Sequence, residues 1–274
     1  MMTDKPSHQE INQQHERDGA VTVRIADGVG TISLSRADAL NAFNVAQRST
    51  LLAALQSLSS DDEVGVIIIT GEGRGFCAGA DLREQGGYDK PPSARLLEEY
   101  APFLEAVAAS PKPVIAAVNG IAAGIGGALV LSCDLVVMAE SASIYLAFSA
   151  IGLVPDGGLT WHLERQLGRR KAFEIMALGQ RIEANACLQL GLANRVVADD
   201  AVMAEALSLA SDLLARAPLS LRFTKEAVHA ATRSTLRDAI ETEARLQDKA
   251  AASEDHKEGR QAFLEKRAPR WTGQ

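Results

Sequence analysis

The chain predicts an α/β protein whose crossover-connected sheets give way to an all-helical C-terminal quarter. Three observations carry that prediction. Short continuous apolar runs recur at Val66-Ile67-Ile68-Ile69, at residues 113–118 and at residues 135–138, as in strands buried on both faces. Glycine-rich loops and helical periodicities separate these runs in the order strand, loop, helix, strand. From Asp199 onward glycine almost disappears and long helical patterns follow one another.

The elements follow in order. Val21, Val23 and Ile25 alternate, Asp27-Gly28 supplies a turn, and residues 29–34 resume the strand pattern, which predicts a hairpin. Asn44 is placed to cap a helix carrying Val45, Leu51, Leu52, Leu55 and Leu58 on one broad face. A glycine-rich loop over 71–80 follows the strand at Val66 and leads to a helix or turn at Asp81. A second loop is expected over 86–92, and periodicity predicts a helix over 96–109. Asn119-Gly120 marks a turn into a glycine-rich helix start. Helices are expected over 201–216, 218–231, 236–252 and 254–267. Pro218 suits a first helical position, and Pro269 lies just past the last helix.

A hydrophobic fraction of 47% supports a substantial core, and a formal net charge of −7 argues against nonspecific nucleic-acid binding. The cysteines Cys77, Cys133 and Cys187 lack C-x-x-C spacing and read as small buried residues in a reduced, cytoplasmic setting. The five histidines are dispersed and no H-E-x-x-H run occurs, so no metal site is expected. The first residues, about 17, are polar without the apolar centre of a signal peptide and are expected to form a mobile tail. No apolar span of roughly 18 residues suggests a membrane helix.

Two segments invite chemistry. In Gly73-Arg74-Gly75-Phe76-Cys77-Ala78-Gly79-Ala80-Asp81-Leu82, small residues would let the backbone approach a ligand; a tight loop after a strand is the plainer use. In Gly124-Ile125-Gly126-Gly127, a helix start would aim free N–H groups at a ligand; close helix packing is the plainer use. Neither is a P-loop or a dinucleotide fingerprint. Pro155-Asp156-Gly157-Gly158 sets a carboxylate among the apolar residues Leu153, Val154 and Leu159, where Asp156 is either a helix cap or an acid/base. Trp161 reads as core or pocket wall, His162 as structural or solvent-facing, and Asp134 as the end of a helix or the anchor of a turn.

These segments, together with Ser35-Arg36, Ala39-Leu40-Asn41-Ala42, Lys112–Gly120, Cys133-Asp134, residues 152–158 and Ala262-Phe263-Leu264-Glu265-Lys266-Arg267, resemble the crotonase family, also called the enoyl-CoA hydratase/isomerase family, over roughly residues 20–270. The resemblance implies a crotonase-like spiral of ββα units with a C-terminal all-helical trimerisation region. It divides the chain into a tail over 1–17, a CoA-binding core over 18–198 and a helical oligomerisation region over 199–274. It implies an oxyanion hole made by the backbone N–H groups of Ala80 and Ile125, which would hold the thioester oxygen of an acyl-CoA. Arg36, Ala39, Leu40, Ala78, Asp81, Leu82, Gly124 and Phe148 fall at substrate- and CoA-contacting positions. Phe263 and Lys266 match residues that reach the nucleotide end of CoA, although Lys266 also suits a dipole-matched helix end. The implied partners are the acyl-CoA itself and further copies of the chain, as a trimer or a dimer of trimers. No cofactor is implied beyond the CoA of the substrate, and neither nucleic acid nor membrane is an expected partner.

One departure sets the expected reaction. Hydratases of the family use two glutamates, and the corresponding positions here hold Ala128 and Phe148. Adding water needs an acid/base pair, whereas moving a double bond needs one group that takes a proton from one carbon and returns it two carbons away. The run from Ala147 to Trp161 resembles the phenylacetate-degradation isomerase branch, which lacks the two glutamates and uses the aspartate corresponding to Asp156. Leu159 departs from that branch, where glycine is usual. The expectation is an enoyl-CoA isomerase acting on an aliphatic or ring-containing acyl-CoA. A hydratase with atypical acids and a non-catalytic acyl-CoA-binding protein are the alternatives.

Overall fold

The hairpin expected at Asp27-Gly28 opens the fold. β1 (Val21–Ala26) and β2 (Val29–Leu34) pair antiparallel with Val21 opposite Leu34. Asp27 at φ 51° and Gly28 at φ 78° supply the left-handed backbone of a tight two-residue turn. The computed structural model describes residues 20–84 and 90–274. The tail expected over 1–17, and residues 86–89 of the loop expected over 86–92, lie outside the described residues.

Among the described residues the strands form two sheets. The larger has the order β1-β2-β3-β5-β7-β10, with β3 at Val66–Gly71, β5 at Val114–Val118, β7 at Leu135–Ala139 and β10 at Arg195–Val197. Beyond the hairpin its pairs are parallel. Every residue of β3 and β5 is buried, which explains their unbroken apolar runs. The smaller sheet has the order β4-β6-β8-β9, with β4 at Gly75–Cys77, β6 at Ile121–Ala123, β8 at Ser143–Tyr145 and β9 at Arg181–Glu183.

The helices are α1 (Val45–Ser60), α2 (Ala101–Ala109), α3 (Ile125–Ser132), α4 (Leu159–Ala177), α5 (Ala184–Gln189), α6 (Val202–Leu214), α7 (Pro218–Ala231), α8 (Leu236–Ala251) and α9 (Glu254–Glu265). The chain repeats one step: a strand of the larger sheet, a strand of the smaller, then a helix. The steps β3-β4-α2, β5-β6-α3 and β7-β8-α4 are turns of a ββα spiral. Asn44 caps α1 as expected, its Oδ1 accepting from Gln47 N at 2.9 Å. The helix expected over 96–109 starts one turn earlier, at Pro92–Arg95, passes through a π turn over Leu96–Tyr100 and continues as α2.

α6 packs on β3, β5 and β7 and buries Val202, Ala206 and Ala210. Beyond it the helices are tied down at points rather than buried along a face. Lys225 of α7, 9% exposed at its side chain, lies 2.8 Å from Asp134 Oδ2 and donates to Val107 O at 3.0 Å. Asp134 also accepts from Val114 N at 2.8 Å, so it anchors the turn between α3 and β7. α9 ends at Glu265, two residues short of the expected Arg267, where the left-handed φ of 53° at Lys266 stops it. Among the described residues no helix is long and apolar enough to cross a membrane.

Candidate active site

The loop after β2 is built on a buried asparagine. Asn41, fully buried, sits at φ 58°. Its Oδ1 accepts from Arg36 N at 2.9 Å, and its Nδ2 donates to Glu72 O at 2.9 Å and Gly75 O at 2.8 Å. A buried side chain with these partners leaves the loop carrying Ala39 and Leu40 one place to lie. That loop then holds the strand end that follows β4. Ala78 N donates to Leu40 O at 2.9 Å, Phe43 N to Gly79 O at 2.7 Å, and Asp81 N to Phe43 O at 3.0 Å. The Arg36 guanidinium closes the join 2.8 Å from Asp81 Oδ2, and its hydrogen bond holds the Asp81 carboxyl below the usual carboxylate range. Arg36, Ala39, Leu40, Ala78, Asp81 and Leu82, far apart in two stretches of sequence, therefore form one rim.

Phe43 bonds to the residues on either side of Ala80, so the Ala80 N–H faces away from that pairing. Among the described residues it has no hydrogen-bond acceptor. Gly79 brings the second loop against it. At φ 96°, a Cβ added there would lie 2.8 Å from Ala123 O. Gly124 is the N-cap of α3 and Ile125 its first residue, so the Ile125 N–H has no acceptor within the helix. Two unbonded N–H groups thus stand on adjoining loops, one of them at the positive end of a helix dipole.

The third wall is the segment before α4. Gly157, at φ 61°, lies so close to α3 that a Cβ there would come within 2.4 Å of Ile125 Cδ1, 2.8 Å of Ala128 Cβ and 3.4 Å of Leu104 Cδ1. This contact packs the loop that carries Asp156, one residue earlier, against the first turn of α3. Phe148 closes the same space, its ring tip 3.7 Å from a Cβ placed on Gly124. Asp156 is not the helix cap: Gly158 holds that position, with no side-chain cap bond. Asp156 Oδ1 is buried without a hydrogen-bond partner among the described residues. Burial is what raises its carboxyl to about 6, against a smaller lowering by the Arg95 charge. Of the apolar neighbours in sequence, Val154 is 77% exposed and Leu153 53%, so they do not supply that burial. Ile125, Ala128 and Leu104 line the contact instead.

The remaining candidates take structural places. His162 Nε2 lies 3.4 Å from Ser132 Oγ, and burial pushes its pKa down to about 4, so it is neutral and ties α4 to the end of α3. Trp161 stacks edge-on to His162 at 4.9 Å and lies under Arg165 at 4.4 Å. Cys77 is buried and its thiol is pushed up to about 12, so it is no nucleophile. Phe263 is 84% exposed on α9 and Lys266 follows at its end. Among the described residues neither side chain makes a hydrogen bond or ion pair to the rim.

A sequence model of the enoyl-CoA hydratase/isomerase family matches residues 24–274. The chain belongs to that family. This crotonase is 38% identical to 1,2-epoxyphenylacetyl-CoA isomerase of Escherichia coli K12, covering 91% of this chain and 97% of that protein. It is 39% identical to a probable enoyl-CoA hydratase of Rhodobacter capsulatus, over 92% of this chain and 98% of that one. Its fold matches the crystal structure of enoyl-CoA hydratase from Bacillus anthracis with a TM-score of 0.89 at 33% identity, covering 93% of this chain and 100% of that chain. Relatives named as isomerase and as hydratase thus stand at nearly equal identity, and the side chains of the site must carry any finer reading.

Proposed function

We propose that this crotonase is an enoyl-CoA isomerase that moves a double bond between the 3 and 2 positions of an acyl-CoA. The observation that carries the reading is the Asp156 carboxylate, its Oδ1 buried and unpartnered among the described residues, on a loop packed against the start of α3, with Ala128 and Phe148 apolar where a hydratase needs acids. The thioester oxygen accepts from Ala80 N–H and Ile125 N–H. Asp156 removes a proton from carbon 2, and the charge passes onto that oxygen as the dienolate forms. The protonated Asp156 then returns the proton at carbon 4, which leaves the double bond at the 2 position. A carboxyl near 6 suits both halves of this exchange at neutral pH, since it is mostly ionised before the reaction and readily gives the proton back. No group beyond the CoA of the substrate enters the reaction. The name of the E. coli relative and the apolar wall of Phe148 and Leu104 favour a ring-containing substrate alongside aliphatic ones.

The working form is a trimer or a dimer of trimers. α7 buries no residue and α8 buries only Leu246, while Val228, Leu236, Ile240, Phe263 and Leu264 are exposed large apolar side chains. Self-association would cover them and bring Phe263 and Lys266 to a neighbouring copy's CoA. The free, buried Cys77 and Cys187 suit the cytoplasm.

The test is a side-by-side product assay on 3-hexenoyl-CoA and 2-hexenoyl-CoA. Each should give the other, with little 3-hydroxyacyl-CoA. Hydration as fast as isomerisation would overturn the reading and favour the activity named for the R. capsulatus relative. Light scattering at micromolar concentration should show a trimer or its multiple, and a monomer would remove the proposed reach of Phe263 and Lys266.

A further inference from the structure

Arg48 is a charged residue on the buried face of α1, 4% exposed. Its guanidinium branches to separate parts of the fold. Nη1 donates to Phe43 O at 3.2 Å, lies 3.0 Å from Glu84 Oε2 and is 3.3 Å from Tyr100 OH, while Nη2 lies 2.7 Å from Glu99 Oε2. The guanidinium also stands 5.0 Å from the centre of the Tyr100 ring. Burying a cation is costly unless its partners are well placed, and nothing in the start of α1 calls for one. Asn44 and Glu84 already accept from Gln47 N and Val45 N in its first turn.

The partners explain the charge. Phe43 is the residue that grips Gly79 and Asp81 and so aims the Ala80 N–H between them. Fixing the Phe43 carbonyl fixes that donor. Glu99 and Tyr100 belong to the π turn that leads into α2, a rare local widening of the helix. Tyr100 packs on Phe103 at 6.2 Å, and Phe103 on Phe43 at 5.1 Å. One turn on, α2 carries Leu104, which reaches the Gly157 contact beside Asp156. One guanidinium thus holds the support of the oxyanion donor and the support of the acid/base loop.

We infer that Arg48 is a positioning residue that sets the Ala80 donor and the Asp156 carboxylate at a fixed separation, so that the thioester oxygen and carbon 2 are engaged together. This rests on the enolate-stabilising reading of the site. It assigns a role in the reaction to a residue that touches no substrate atom. The guanidinium suits the task because its planar fork directs bonds along several fixed lines at once, which a lysine ammonium on a flexible stem does not.

The test uses Arg48→Lys, which keeps the charge and loses the fork, in the full chain. Bound hexanoyl-CoA, which has no double bond to move, reports the oxyanion hole through its thioester carbonyl stretch in difference infrared spectra. The wild-type protein should lower that frequency and Arg48→Lys should lower it less. For 3-hexenoyl-CoA, kcat should fall about tenfold to a hundredfold, as expected for a small misplacement of reacting groups. KM should stay within about twofold, and the acidic limb of the pH profile should not move, because Asp156 keeps its burial. A carbonyl shift and kcat equal to wild type, with only a lower Tm, would make Arg48 purely structural and overturn the inference. No carbonyl shift in the wild-type protein would instead overturn the oxyanion reading itself, and the inference with it. Should Arg48→Lys fail to fold, Glu99→Gln removes one tether while leaving Arg48 in place. It should give a smaller loss in the same two readouts, and an unchanged carbonyl shift would count against the inference.

Discussion

On the donor side of the site, residues 78–81 are held by backbone bonds to Leu40 and Phe43 and by the Arg36–Asp81 pair. On the side of Asp156, residues 153–157 have few backbone bonds among the described residues: Leu153 N donates to Phe148 O at 2.9 Å, and Asp156 O accepts from Leu159 N at 3.1 Å. That side is kept in place by Gly157 packed on α3. The difference suits the roles proposed for the two walls. A donor that stabilises charge in a transition state must not move, and directional bonds fix it. A carboxyl that must take and return a proton near neutral pH loses that property if donors surround it, because hydrogen bonds to the ionised form lower its pKa. Packing holds Asp156 without tuning it downward.

Three changes break or sharpen this contrast. The largest effect is expected from Asp156→Asn, which should cut isomerase turnover by about a hundredfold or more while leaving CoA affinity intact. The same variant checks the burial of the carboxyl. In the fold it is raised to about 6 from an ordinary 3.8, so its ionised form opposes folding. Stability from the protonated form is full below the ordinary value and is lost as pH rises through about 6. Wild-type activity should accordingly fall as pH drops through that range, and the Tm of Asp156→Asn relative to wild type should rise between pH 4 and pH 8. An equal Tm difference at both pH values would place the carboxyl in water.

Next come the paired variants Gly79→Ala and Gly157→Ala. The added methyl at Gly79 meets the Ala123 carbonyl oxygen at 2.8 Å in a left-handed backbone, and a backbone atom has nowhere to go. At Gly157, also left-handed, a methyl would meet the tip of the Ile125 side chain at 2.4 Å, which can turn aside, and the Ala128 Cβ at 2.8 Å, which yields only as α3 shifts. Gly79→Ala should cost about 1–3 kcal/mol of stability and lower kcat, with Gly157→Ala losing less stability in denaturant melts. The reverse order would mean that packing, not bonding, is the stiffer wall. The smallest effect is expected from Phe263→Ala. At 84% exposed, its loss should change the stability of one protomer by no more than about 0.5 kcal/mol while raising KM for acyl-CoA.

The long elements are legible in the sequence because their causes are local. Residues 66–69 and 114–118 are apolar without a break since both faces of the sheet are covered. The three-residue strands β4, β6, β8 and β9 were not readable, because a run that short shows no period and forms only through its neighbours across the smaller sheet. Asp156 is legible by composition, but its burial is not, since its neighbours Leu153 and Val154 are exposed and the adjoining Gly157 packs on residues of α2 and α3 that are distant in sequence. Arg48 went unnoticed because a lone arginine in a helix reads as a solvated face. Its place three residues before Leu51 and seven before Leu55, both fully buried, was the available signal. Asn41 was visible as part of a resemblance, whereas its work as the internal tie of the loop needed the partners Glu72 and Gly75 brought from the next strand.

The grip of Phe43 on either side of Ala80 also leaves an isotopic mark. The amides of Phe43 and Asp81 are bonded to carbonyls, and those of Ala80 and Ile125 are not. In deuterated solvent the latter two should exchange well ahead of their neighbours in the empty protein. Occupation by a thioester oxygen would slow both together, so the two amides act as paired clocks that start and stop with the ligand.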